Sequence, residues 1–86
     1  MKFIAEIDVM PHKALLDPQG KAVSASMKNI KLPEIDNVRI GKHITLEIDC
    51  KSEEEAERLT DEACKKLLAN PIMEHYQFVI KSADLV

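Results

Sequence analysis

The sequence predicts an α+β two-layer sandwich of order β-α-β-β-α-β, with an antiparallel four-stranded sheet and two helices on one face. Three observations carry this. Apolar and polar residues alternate with period two in three separate runs. Two runs with helical spacing each open on a capping signal. Two of the expected strands lie so close in sequence that a hairpin is the natural link.

The first strand covers residues 2–10. Phe3, Ala5, Ile7 and Val9 fall on one face, and Lys2, Glu6 and Asp8 on the other, with Ile4 and Met10 among them. Period two with β-branched residues means a half-buried strand. Pro11 ends it, and His12 to Leu16 reads as a loop. Asp17-Pro18 then opens a helix. Asp17 caps free N–H groups, and Pro18 suits the first helical position, where its missing N–H has no partner to lose. Ala22, Val23, Met27 and Ile30 follow on one stripe, while Gly20 weakens the first turn and suggests a close approach there.

Residues 35–40 read as a short second strand and Gly41-Lys42 as a turn. Residues 43–50 form the cleanest strand, with Ile44, Leu46, Ile48 and Cys50 facing one way and His43, Thr45, Glu47 and Asp49 the other. Ser52 with Glu55 is a capping box. Ala56, Leu59, Ala63 and Leu67 continue as a helical stripe, widened by Cys64 and Leu68, and Asn70-Pro71 stops it. The last strand spans residues 74–81, with Tyr76, Phe78 and Ile80 on one face and His75, Gln77 and Lys81 on the other; residues 82–86 read as a loose tail. The second face of the sheet carries Ile4, Met10 and Val79 among charges, and such a face, or an open strand edge, is often covered by another subunit.

Composition narrows the function classes. With 86 residues the chain has room for a single domain, 1–86, with a thin core. Phe3, Tyr76 and Phe78 are its only aromatic residues, so that core is aliphatic. A net charge of -3 argues against bulk affinity for nucleic acid or anionic membrane. No apolar stretch is long enough to span a bilayer, and the opening residues mix charges with apolar groups unlike a signal peptide. Cys50 and Cys64 fit neither a disulfide framework nor a zinc spacing; buried thiols in a cytoplasmic protein are the simpler reading.

No active site is visible. His12, His43 and His75 are scattered over a loop and two strands, although His43 and His75 could share the open sheet face. Glu53, Glu54, Glu55 and Glu57 are explained by the positive end of a helix dipole. Gly-rich phosphate loops are absent, and Arg39-Ile40-Gly41-Lys42 is weak as a phosphate motif beside its reading as a turn with exposed cations. Lys13, Arg39 and Lys42 could present positive charge to an acidic partner. No Ser-His-Asp, Cys-His or paired-carboxylate arrangement has support, so catalytic, cofactor-binding and metal-binding residues are all expected to be none.

Three segments together resemble a known family. Asp17-Pro18-Gln19-Gly20 followed by Ala22-Val23 is similar to the DPQG-x-AV start of the first helix in the PurS family. Val38-Arg39-x-Gly41-Lys42 resembles its V-R-x-G-K hairpin, and Leu67 to Asn70 with Pro71, Glu74 and Tyr76 resembles its LLANP-x-x-E-x-Y segment. The three keep order and spacing across nearly the whole chain.

The resemblance implies the small subunit of phosphoribosylformylglycinamidine (FGAM) synthase, a ligase of purine biosynthesis. That enzyme converts formylglycinamide ribonucleotide to its amidine with ATP, Mg²⁺ and ammonia drawn from glutamine. A large synthase subunit holds the ATP, Mg²⁺ and substrate, and a glutaminase subunit releases the ammonia. The small subunit is required for assembly, has no chemistry of its own, and forms dimers or tetramers of a ferredoxin-like fold. The resemblance thus implies a cytoplasmic chain whose partners are itself, the large subunit and the glutaminase, with no nucleic acid and no membrane. Asp17, Gln19, Gly20, Arg39, Gly41, Lys42, Asn70 and Pro71 are the candidates for partner contacts or loop geometry. The chain departs from the family at Lys31, where a Gly usually follows the first helix, and at Ala14, before DPQG. A stand-alone module binding a small effector is the alternative of another class. An RNA-binding domain is disfavoured by the acidity and the few aromatic residues.

Overall fold

The computed structural model describes residues 1–13 and 17–83. The chain runs β1 (Lys2–Pro11), α1 (Pro18–Ser26), β2 (Lys42–Asp49), α2 (Glu53–Ala63) continued by a π-helical turn (Cys64–Leu68), and β3 (Glu74–Ser82). It is the α+β antiparallel sandwich that the periodicities predict. The sheet order is β2-β1-β3, so β1 is central. Its register runs from Lys2 opposite Asp49 to Val9 opposite Lys42, and from Phe3 opposite Ser82 to Pro11 opposite Glu74.

The central position and the alternation together make the core. Phe3, Ala5, Ile7 and Val9 are buried under Ala56 and Cys64 of the second helical segment, with Tyr76, Phe78 and Ile80 of β3 packed around them. Ser52 caps α2 by accepting from Glu55 N at 3.2 Å, and Glu53, Glu54 and Glu55 fill its first turn.

The fourth strand expected at residues 35–40 does not form, and neither does the hairpin through Gly41-Lys42. Two amides of that segment have other partners. Val38 N donates to Ser24 Oγ at 2.8 Å and Ile40 N to Asp17 Oδ2 at 3.0 Å. Asn37, at φ 54°, breaks the extended run as well. The segment therefore docks along α1, between its Asp17 cap and Ser24 in its last turn, and leaves β2 as an edge.

Helix α2 packs against β1 and β3, whereas α1 stands off the sheet. Gly20 is the one buried residue of α1, and Ile30, Leu32 and Ile35 beyond it are exposed. The stripe expected to cover the sheet thus covers little of it. The radius of gyration, 16.6 Å, reflects this extension; a compact chain of this length would measure about 12 Å.

Three further positions depart from expectation. Leu67, placed on the buried stripe by 3.6-residue spacing, is 82% exposed. The π turn, closed by Ala69 N on Cys64 O at 3.0 Å, adds a residue between the buried Cys64 and the buried Ala69, and Leu67 falls on the outer side. Ser82, assigned to the tail, closes β3 opposite Phe3; the tail residues 84–86 lie outside the described residues, as does Ala14. Lys31 sits at φ 66°, the left-handed conformation a glycine would take there, at a cost of about 1 kcal/mol.

Candidate functional site

The three sequence motifs, far apart along the chain, meet at one end of the sheet: the end of β1 and the starts of β2 and β3. Asp17 is the centre. As the cap of α1 it accepts from Gly20 N at 3.0 Å through one carboxylate oxygen, and from Ile40 N at 3.0 Å through the other. These two hydrogen bonds, Ile40 first, hold its carboxyl below the usual carboxylate range, with the Arg39 guanidinium adding to them.

Arg39 ties this knot to β1. Its Nη2 donates to Pro11 O at 3.0 Å and His12 O at 2.9 Å, and its Nη1 to Lys13 O at 3.3 Å. Its Nε lies 3.5 Å from Asp17 Oδ2, a charge contact without hydrogen-bond alignment. The planar fork of an arginine suits this; an ammonium cannot reach the same carbonyls together. Arg39 is therefore committed within the fold, and Lys42 and Lys13 are the more available cations of the VRxGK end.

Both glycines of the site are required by close approach. A Cβ on Gly20 would meet Val38 O at 2.2 Å and the Asp17 carboxylate at 2.5 Å. On Gly41 it would meet Val9 O at 2.2 Å. The close contact expected at Gly20 is thus the seam between α1 and residues 38–40.

The third motif closes the far side. Asn70 Oδ1 accepts from Ile72 N at 3.0 Å, and Asn70 O accepts from Met73 N and Glu74 N. Glu74 reaches back to accept from Asn70 N at 2.8 Å, and its other oxygen lies 3.8 Å from Lys42 Nζ. His12 N donates to Met73 O at 2.9 Å, which links this turn to the Arg39 clamp. Pro71 O faces His12 Nε2 at 3.5 Å. A cleft of about 230 Å³ runs between Pro11, Pro18, Gln19, Gly41, Lys42 and Glu74, with Gln19 exposed beside it.

Sequence reasoning did not select Glu74, Ser24 or His12 for this site. Glu74 is marked by its place in the third motif, His12 is weighed only as one of three scattered histidines, and Ser24 carries no signal of its own. Chemically the site is a platform of matched charges and committed amides, and among the described residues it pairs no nucleophile with a base.

The remaining polar groups lie elsewhere. On the open sheet face Glu6 pairs with Lys81 at 2.6 Å and Asp8 with His43 at 2.7 Å. The Glu6–Lys81 ion pair and the Asp8–His43 hydrogen bond therefore divide its apolar residues Ile4, Met10 and Val79. The rings of His12 and His75 lie 5.7 Å apart. Among the described residues no group of three or more His, Cys, Asp or Glu could hold a metal ion. Tyr76 donates a short hydrogen bond to Asp61, which with burial pushes the phenol up to about 12. Burial also raises the Cys64 thiol. No helix among the described residues is long and apolar enough to cross a membrane.

Comparison with known proteins shows the family. The chain matches the family PurS, phosphoribosylformylglycinamidine (FGAM) synthase, over residues 4–82. It is 39% identical over 69 residues to the FGAM synthase subunit PurS of Bacillus subtilis, covering 80% of this chain and 81% of that one. A crystal form of B. subtilis PurS superposes with a TM-score of 0.82 at 34% identity, over 93% of this chain and 99% of the other. A chain in the structure of PurLQS from Thermotoga maritima superposes with a TM-score of 0.85 at 30% identity, over 93% and 98%.

Proposed function

The chain belongs to the PurS family of FGAM synthase, and we propose on that basis that it is the small, non-catalytic subunit of this enzyme in purine biosynthesis. Its role is to hold the synthase and glutaminase subunits together so that ammonia passes between them. The observation that carries this is the match of nearly the whole chain to a protein solved within a PurLQS assembly. The platform of matched charges and committed amides is in keeping with an assembly role.

The partners proposed are the large synthase subunit, the glutaminase and further copies of this chain, as dimer or tetramer, in the cytoplasm. ATP and Mg²⁺ belong to the large subunit. The motif end is the proposed contact region: Gln19 and Lys42 present side chains to a partner, and Asp17, Gly20, Arg39, Gly41, Asn70 and Pro71 set the loop geometry. Self-association has support in the fold. Among the described residues α1 covers little of the sheet and neither helix packs extensively on β2, whose Ile44, Leu46 and Ile48 stay half-buried.

Size-exclusion chromatography of the three purified subunits with ATP, Mg²⁺ and glutamine tests the proposal. Co-elution of all three is expected. Co-elution of the large subunit with the glutaminase to the same extent without this chain would overturn the assembly role.

A further inference from the structure

A cavity of about 490 Å³ lies between α1 and residues 36–39. One wall is a face of α1, where Asp17, Lys21 and Ser24 follow one another at helical spacing. The other wall is the chain from Asp36 to Arg39, and Lys13, just past β1, lines the cavity as well. The walls are tied together without a ligand. Val38 N donates to Ser24 Oγ at 2.8 Å and Ile40 N to Asp17 Oδ2 at 3.0 Å. Arg39 holds the carbonyl of Lys13 at 3.3 Å, and Asn37, at φ 54°, turns the second wall. The volume lies in the range of small-molecule sites.

The charges around this cavity fall into two sets. Asp17 and Arg39 are committed within the fold, to amides, carbonyls and each other. Lys13, Lys21 and Asp36 are not. Among the described residues neither lysine pairs with a carboxylate, and Asp36 pairs with no cation. Two ammonium groups and one carboxylate thus line one cavity without partners. A ligand that matches them carries two negative groups and one positive group. A plain dicarboxylate leaves Asp36 unmatched, and a neutral zwitterion leaves one lysine unmatched.

We propose that this cavity binds an acidic amino acid, with its two carboxylates on Lys13 and Lys21 and its ammonium group on Asp36. Ser24 adds a donor: its Oγ accepts from Val38 N, and its own hydroxyl proton is unused among the described residues. The class of ligand rests on the cavity alone. The choice of glutamate over aspartate rests on the function proposed above, in which a glutaminase partner releases glutamate as it supplies ammonia. The subunit that joins the two enzymes then carries a site for one of their products.

Two other hollows lack this motive. The cleft beside Gln19 and Gly41 is about 230 Å³, and its Lys42 already faces Glu74 at 3.8 Å. The hollow on the open sheet face has its charged groups matched, Glu6 with Lys81 and Asp8 with His43.

Titration of the isotope-labelled full chain, followed by NMR at constant pH and ionic strength, tests this. L-Glutamate should shift the amides of Lys21, Ser24, Asn37 and Val38 saturably, with roughly millimolar affinity for so small a ligand. Glutarate keeps both carboxylates and lacks the ammonium group; L-glutamine lacks one carboxylate. Each should bind about threefold more weakly, the effect of one exposed charge pair. Asp36→Asn should abolish the preference for glutamate over glutarate, and Lys21→Gln the preference for glutamate over glutamine. Both residues are exposed, so the spectra of the free variants should otherwise match the wild type. Shifts that fail to saturate, or that are equal for the three ligands, would overturn the site. Tighter binding of inorganic phosphate than of glutamate would overturn the amino-acid class. Co-elution of the three subunits is read separately, so either proposal can fail alone.

Discussion

Gly20→Ala should destabilise this protein, against the rule for helices. At an exposed helix position, replacing glycine by alanine stabilises by up to about 1 kcal/mol. Here the added Cβ would lie 2.2 Å from Val38 O and 2.5 Å from Asp17 Oδ2. Neither atom is free to yield. Val38 is held by its amide on Ser24 Oγ at 2.8 Å, and Asp17 by the amides of Gly20 and Ile40, both at 3.0 Å. Restoring ordinary contact needs a shift of about 1 Å, which strains or breaks these bonds. Overpacking costs about 1–3 kcal/mol, and one unmet amide adds a further 1–3 or so. After the propensity gain is subtracted, a net loss of about 2 kcal/mol is expected. Urea unfolding at matched protein concentration should show a lower midpoint with an unchanged slope. The melting temperature should fall by roughly 8–16 °C. A Gly20→Ala variant as stable as the wild type, or more so, would refute the idea that the DPQG and VRxGK segments are locked together at this residue.

Arg39→Lys should lose the fork on Pro11 O and His12 O and destabilise by roughly 1–3 kcal/mol, with faster amide exchange at His12 and Ile40; unchanged exchange would refute the clamp. Tyr76 is the sole tyrosine, so absorbance at 295 nm titrates it alone. Its midpoint should lie well above the ordinary value of 10.0, near 12, and should fall in Asp61→Asn. Because the folded value is raised, this pair stabilises fully below the unfolded value and the effect is lost as pH rises through the folded one. The carboxyls of Asp17, Glu6, Asp61 and Glu62 are shifted the other way, so their stabilisation holds at neutral pH and is lost as pH falls through their lowered values. Asp17→Asn should flatten the acid limb of stability against pH; a limb as steep as the wild type's would show that Asp17 contributes little.

The elements with strong local signals were legible in the sequence. β1, β2 and β3 follow their alternation, and both helix caps fall on Asp17 and Ser52 as the residue types predict. Residues 35–40 misled because β propensity was overridden by tertiary hydrogen bonds: no local pattern reports that Ser24 and Asp17 accept the amides of Val38 and Ile40. Leu67 misled because a 3.6-residue count cannot foresee a π turn. The site was legible as motifs but not as geometry. Sequence marked Asp17, Gly20, Arg39 and Gly41 separately, and the convergence at one end of the sheet came only from the fold. Arg39 looked like a cation for partners, and the carbonyls of residues 11–13 that bind it carry no side-chain signal at all.

Reconstitution tests whether this chain makes a glutamine-dependent synthase out of subunits that carry the chemistry. FGAM formation would be measured with purified large subunit, glutaminase, ATP and Mg²⁺, using glutamine or ammonium as nitrogen source, with this chain present or omitted. Omission should reduce the glutamine-dependent rate far more than the ammonium-dependent one. A glutamine-dependent rate unchanged by omission would contradict this role.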